Sequence, residues 1–195
     1  MSDNFDKNCV SIGVLVNAKE TQAIMWAKKL IDVLKKDLEN TFPQFEWHFK
    51  IIKRHDFPQD LPLDPLIMLE FGSDLKIEYG LDFVLILTTL PLKPRFEQGV
   101  NGVPSVILES AVISLAKIIE EQNSGIAEQA ALALVKHILG HLWGLDHNDN
   151  SVMRPRKFWS SGGPTDWSDR EKQKIIEYLS SVADPRLEET REFVS

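Results

Sequence analysis

His137-Ile138-Leu139-Gly140-His141-Leu142-Trp143-Gly144-Leu145-Asp146-His147 gathers three of the chain's five histidines into one short stretch. His137 and His141 are four apart, so on a helix both imidazoles leave the same face, one turn apart. Gly144 can take the left-handed conformation that ends a helix, and His147 beyond it can turn back toward the other two. Two helical histidines and a third from the following turn make an open three-nitrogen site for one zinc ion, with a fourth position left for water. A lone histidine is usually a surface or packing residue. Here the pair, the glycine and the third histidine are independent conditions met together, which marks His137, His141 and His147 as candidate metal ligands.

The stretch reads H-x-x-x-H-x-x-G-x-x-H and resembles the zinc signature of the metzincins with one position changed. Where that signature has a glutamate, directly after the first histidine, this chain has Ile138. Leucine and glycine before the second histidine and leucine after the later glycine fit the same pattern. Met153, in Ser151-Val152-Met153-Arg154-Pro155, resembles the Met-turn that lies beneath the metal in that clan. The segments Asp82-Phe83-Val84-Leu85-Ile86-Leu87-Thr88 and Ala111-Val112-Ile113-Ser114-Leu115 resemble strands of the archaemetzincin branch. The resemblance is specific over residues 80–155. It implies a zincin-like α+β fold, a zinc ion on the three histidines, Met153 as an apolar floor, and a peptide or protein segment in the cleft. Archaemetzincins also carry cysteines just after the third histidine and a second, structural zinc. This chain has Asn148-Asp149-Asn150-Ser151 there and Cys9 as its one cysteine, so a second cysteine-bound zinc is not expected.

In the intact signature the glutamate takes a proton from the attacking water and passes it to the leaving amine, a contribution of about 10²–10⁴-fold. Ile138 occupies that position and has no ionisable group. Asp146 and Asp149, flanking His147, and Glu109, near the presumed edge strand, are the substitute candidates, and spacing places none of them as the glutamate would be placed. Asp146 and Asp149 also read as turn residues or as acceptors that orient a ligand ring. Three readings stay open at this stage: an impaired peptidase relative acting as a binding or regulatory module, an active peptidase with a different base, and a scaffold that binds no metal.

With 195 residues and 43% hydrophobic content, the chain suits a single domain with a full core, divided at about residues 1–144 and 145–195. A net charge of −7 argues against nucleic acid or an anionic membrane as partner. The polar first residues lack the basic start and apolar run of a signal peptide, and no apolar run is long enough to span a bilayer. A single cysteine fits a reducing, cytoplasmic setting. Cys9 directly precedes an apolar strand and reads as a buried thiol rather than one that caps the metal.

The elements that must position the site follow from periodicity. Strands are expected over 10–16, 45–52, 82–89 and 111–115, the third apolar throughout and so covered on both faces. Asn17 and Glu20 form a helix-start signal for a helix over about 18–39. Pro58, Pro62 and Pro65 lead into a helix near 65–79. His48 falls on the polar face of its strand and His55 in a turn. The irregular segment from Pro91 to Pro104 precedes Val106-Ile107-Leu108, read as the cleft-bordering edge strand able to pair with an extended peptide. Ser124 is a candidate N-cap for a helix over about 126–143, apolar on every side and therefore central. Gly140 inside it needs a close neighbour to offset its helix cost. Residues 148–167 read as irregular, and Ser168-Asp169-Arg170-Glu171 as a capping box opening a last helix to about 182. The sum is a twisted mixed sheet with packed helices, a buried metal-site helix, and a small irregular C-terminal part ending in a helix.

Overall fold

The computed structural model describes residues 8–58, 62–93, 101–121, 124–155 and 163–182. In chain order they form β1 (Asn8–Asn17), α1 (Thr21–Thr41), β2 (Phe45–Arg54), α2 (Pro65–Tyr79), β3 (Phe83–Thr88), β4 (Gly102–Ser105), β5 (Ser110–Ser114), α3 (Ala116–Glu121), α4 (Ser124–Leu142) and α5 (Asp169–Val182). The sheet order is β2-β1-β3-β5-β4. All neighbours are parallel except β4, which runs antiparallel to β5 at the edge. The expected mixed sheet with helices packed on it is what the chain adopts. Among the described residues no helix is long and apolar enough to cross a membrane.

Alternation along the strands sorts the core into two layers. Val10, Ile12, Val14 and Val16 of β1, with Phe83, Leu85 and Leu87 of β3, face α1, α4 and α5. Val84 and Ile86 of β3 and Val112 of β5 face α2 on the other side. Every residue of β3 and β5 is buried, as strands covered on both faces must be. Helix α2 starts where Asp64 accepts from the Leu66 amide with Pro65 in the first turn, and ends at left-handed Gly80.

Four sequence expectations change. The edge strand is Gly102–Ser105, while Val106, Ile107 and Leu108 lie in the turn that follows, with Ile107 almost fully exposed. Pro104 is tolerated because an edge strand has one side that needs no amide donor. Cys9 lies within β1 and is exposed. The inward set begins with Val10 and Ile12, so the alternate position at residue 9 points out. Asn17 does not cap α1: its side chain accepts from the Lys19 amide, and the helix begins one turn later, after Glu20. Glu20 is instead drawn to the end of β3, accepting from the Thr88 hydroxyl and from the Thr89 amide and hydroxyl. Finally, α3 follows β5 directly, in an interval to which the sequence reading assigned no element. His48 is exposed beside Glu46 and His55 is exposed in its turn, as expected. The side chain of Ser124, residues 156–162 of the irregular segment and the tail beyond 182 lie outside the described residues.

Candidate metal centre

Helix α4 is central because its sequence gives it no polar face. Ala130, Ala131, Ala133, Leu134, Val135, Ile138 and Leu139 are all buried, and the helix lies against β4, β5, α1 and α3. Besides His137, Lys136 is the buried polar residue of α4 among the described residues, and it is paired. Its ammonium group reaches Asp37 of α1 at 2.8 Å and Asp166 at 2.7 Å, and sits 4.7 Å from the Trp167 ring. This clamp ties α4 to α1 and to the segment leading into α5. No apolar pattern reveals it, and the sequence reading missed it.

The end of α4 is a Schellman turn. The Gly144 amide donates to the His141 carbonyl and the Leu145 amide to the Gly140 carbonyl, with Gly144 at φ 79°. This reverses the chain so that His147 returns to the helix. The ligand atoms of His137, His141 and His147 lie within 4.8 Å of one another, a group able to hold a metal ion. His137 is buried, His141 half-buried and His147 exposed, so the group opens toward solvent on the His147 side.

Hydrogen bonds fix which nitrogens face inward. His137 Nδ1 lies 2.9 Å from the Val152 carbonyl and His141 Nδ1 lies 2.8 Å from the Leu145 carbonyl. A carbonyl only accepts, so both Nδ1 atoms carry the proton and both Nε2 atoms present lone pairs. Those two Nε2 atoms are 3.1 Å apart, and His147 Nε2 is 3.1 Å from that of His141. With both rings neutral, no proton lies between His137 and His141, and two lone pairs confront each other. A cation between them removes that repulsion. Two nitrogens held at about 2.0–2.1 Å on a tetrahedral zinc would be about 3.3 Å apart, so the spacing fits. Burial pushes the His141 imidazole below its ordinary pKa, with the Leu145 carbonyl and Asp146 working against this and His147 adding to it. A depressed value favours the neutral, ligating form.

Met153 is fully buried and packs beneath α4 at Gly140. A Cβ at residue 140 would overlap the Met153 sulfur and stand 3.0 Å from both Met153 Cε and Trp167 Nε1. The bare backbone of Gly140, between the two helical histidines, is therefore what lets the 148–153 loop close under the helix. The neighbour expected for Gly140 is this loop.

Ile138 is 3% exposed and points at the edge strand. A Cβ on Gly102 of β4 would meet Ile138 Cδ1 at 2.7 Å and Cγ1 at 2.9 Å. The Ile138 side chain is thus packed between α4 and β4, in space that exists because residue 102 has no side chain. The three substitute carboxylates lie elsewhere. Asp146 and Asp149 are exposed on either side of His147. Glu109, at φ 48° in the β4–β5 turn, is ion-paired with Lys76 of α2, across the sheet from α4. The sequence reading also missed the carbonyls of Leu145 and Val152, which no side-chain pattern encodes, and the hydrogen bonds that Glu171 accepts from Asn148 and Ser151.

No family model matches the chain, and no curated protein matches it. Solved structures do. An archaemetzincin from Methanopyrus kandleri superposes with a TM-score of 0.69 at 17% identity, covering 90% of this chain and 98% of that one. An archaemetzincin from Archaeoglobus fulgidus, complexed with malonate, gives 0.59 at 15% identity over 85% and 99% of the two chains. A zinc-dependent peptidase from Methanocorpusculum labreanum gives 0.59 at 15% identity over 84% and 99%. At such identities what is shared is architecture: the chain has the archaemetzincin fold.

Proposed function

We propose that this chain binds one zinc ion through His137, His141 and His147 and holds a peptide or protein segment beside it. In this reading it is a metallopeptidase relative with impaired or absent hydrolysis, acting as a binding or regulatory module. The observation that carries it is the pairing of two convergent Nε2 lone pairs with two Nδ1 protons already committed to carbonyls. The likeness of fold to a zinc-dependent peptidase supports the choice of metal and of ligand class. When bound, zinc supplies Lewis acidity toward a carbonyl oxygen. Strand β4 has no further strand beside it among the described residues, which suits pairing with an extended peptide. Met153 serves as an apolar floor, the Met-turn of this scaffold, since a thioether is a poor zinc ligand beside three imidazoles. Ile138 cannot accept or return a proton, and its packing against Gly102 leaves an apolar wall where a base would stand. The single cysteine is in keeping with a reducing compartment, which we take as the cytoplasm.

The test is hydrolysis of unstructured peptides by the zinc-loaded wild-type chain, with and without chelator. Turnover lower by the general-base contribution, about 10²–10⁴-fold, is expected. Robust chelator-sensitive cleavage would overturn the impaired reading and turn attention to Asp146 and Asp149.

A further inference from the structure

We propose that Glu171 is a positioning residue for the histidine centre, its carboxylate fixing the loop that carries His147 and orients His137. For its metal-binding consequences this rests on the zinc reading above. Glu171 lies in the first turn of α5 and is 7% exposed. A carboxylate so enclosed must be hydrogen-bonded to persist, and this one accepts from four donors. One oxygen, Oε2, closes the capping box: the Ser168 amide donates at 2.7 Å and the Ser168 hydroxyl at 2.8 Å. Helix capping needs nothing more. The other oxygen, Oε1, points away from its own helix and accepts from Asn148 Nδ2 at 2.9 Å and Ser151 Oγ at 2.8 Å.

Those two residues bracket the loop. Asn148 directly follows His147, and Ser151 directly precedes Val152, whose carbonyl takes the His137 Nδ1 proton. Both also fold the loop from within. Asn148 donates its amide to the Met153 carbonyl and receives the Asn150 amide on its side chain, while Ser151 Oγ receives the Met153 amide. The ring of exposed His147 is placed against the other two by its backbone, which is held at Asn148 by the Met153 carbonyl and, through the Asn148 side chain, by Glu171. Glutamine cannot replace the carboxylate. Whichever way its amide turns, its NH2 group faces a group that can only donate there, the Asn148 side-chain amide or the Ser168 backbone N–H, where an oxygen of Glu171 now accepts.

The experiment compares wild type, Glu171→Gln and Leu179→Ala, the last removing a fully buried side chain about two turns farther along α5. Zinc affinity is measured by chelator competition, cobalt(II) absorption reports ligand geometry, and imidazole proton resonances are followed in the metal-free protein. Glu171→Gln should weaken zinc about 10–100-fold, change the cobalt spectrum and move the His147 resonances. Leu179→Ala should leave all three readouts close to wild type even though it lowers the melting temperature. Asn148→Ala with Ser151→Ala, which spares the helix cap, should reproduce the Glu171→Gln result and serves if that variant does not fold. Unchanged affinity and unchanged His147 resonances in Glu171→Gln, or equal losses in Leu179→Ala, would overturn the proposal. If wild type takes no metal, the zinc reading fails on its own, and the resonances of the metal-free variants still decide the role of Glu171.

Discussion

The contact between Ile138 and Gly102 sets up a double-mutant cycle with a definite sign. Gly102→Ala puts a methyl group 2.7 Å from Ile138 Cδ1, 2.9 Å from Cγ1 and 3.4 Å from the Val112 carbonyl. The first two are closer than packed carbons tolerate, and Cγ1 is not a free chain end that can swing aside. Overpacking of this kind costs about 1–3 kcal/mol. Ile138→Ala removes both offending atoms from a nearly closed site and costs about 2–5 kcal/mol as a cavity. In the double variant the added methyl enters space the truncation has vacated. Gly102→Ala should then be neutral or mildly stabilising, giving a coupling of about 1–3 kcal/mol in favour of the pair. Urea unfolding of the four proteins, with slopes compared to exclude changes in the unfolded state, measures this directly. Costs that add to within about 0.5 kcal/mol would show that Ile138 and Gly102 do not share one space, and the apolar wall beside the histidines would have to be abandoned.

Gly140→Ala should destabilise by about 1–2 kcal/mol, the overlap with Met153 outweighing the gain in helix propensity. In thermal unfolding that is a fall of about 2–8 °C, whereas a rise would mean the loop does not press on the helix. Lys136→Ala should cost about 1–3 kcal/mol, from the lost charge-assisted contacts and the packing of the buried stem, because the Asp37 and Asp166 carboxylates left behind are 30% and 59% exposed and regain water; a loss below about 0.5 kcal/mol in denaturant titration would contradict the clamp. The last concerns pH. Burial would raise the Glu171 carboxyl, but its hydrogen bonds to Ser168, Asn148 and Ser151 prevail and hold it below the ordinary glutamate value. A folded pKa below the unfolded one contributes stability that is complete above about 4.3 and fades as pH falls through the folded value. The stability gap between wild type and Glu171→Gln should therefore be full at pH 7 and narrow below pH of about 4; a gap that widens with acid would reverse the sign.

What could be read from the sequence was what is local. The spacing of His137, His141 and His147 and the glycine between them define a helix end within a few residues, and the structure brings their nitrogens together. The capping box at Ser168 and Glu171, the apolar run of β3 and the all-round apolar character of α4 are also properties of short windows, and all are present. What was misread depends on partners far away in the chain. Asn17 and Glu20 look like a helix start, but Thr88 and Thr89 compete successfully for the Glu20 carboxylate. Gly102 and Pro104 look like a loop, because nothing nearby shows that Ile138 needs the missing Cβ or that β4 takes the edge of the sheet among the described residues. Glu171 is visible as a cap, whereas its grip on Asn148 and Ser151 exists only once the loop has folded back on α5.

The central claim is that three imidazoles converge to hold one metal ion, and zinc content tests it most directly. After loading and removal of loosely bound ion, elemental analysis of wild type, His137→Ala, His141→Ala and His147→Ala should give one equivalent of zinc for the wild type and a large loss in each variant. Wild type retaining only a small fraction of an equivalent, or all three variants retaining a full one, would contradict it.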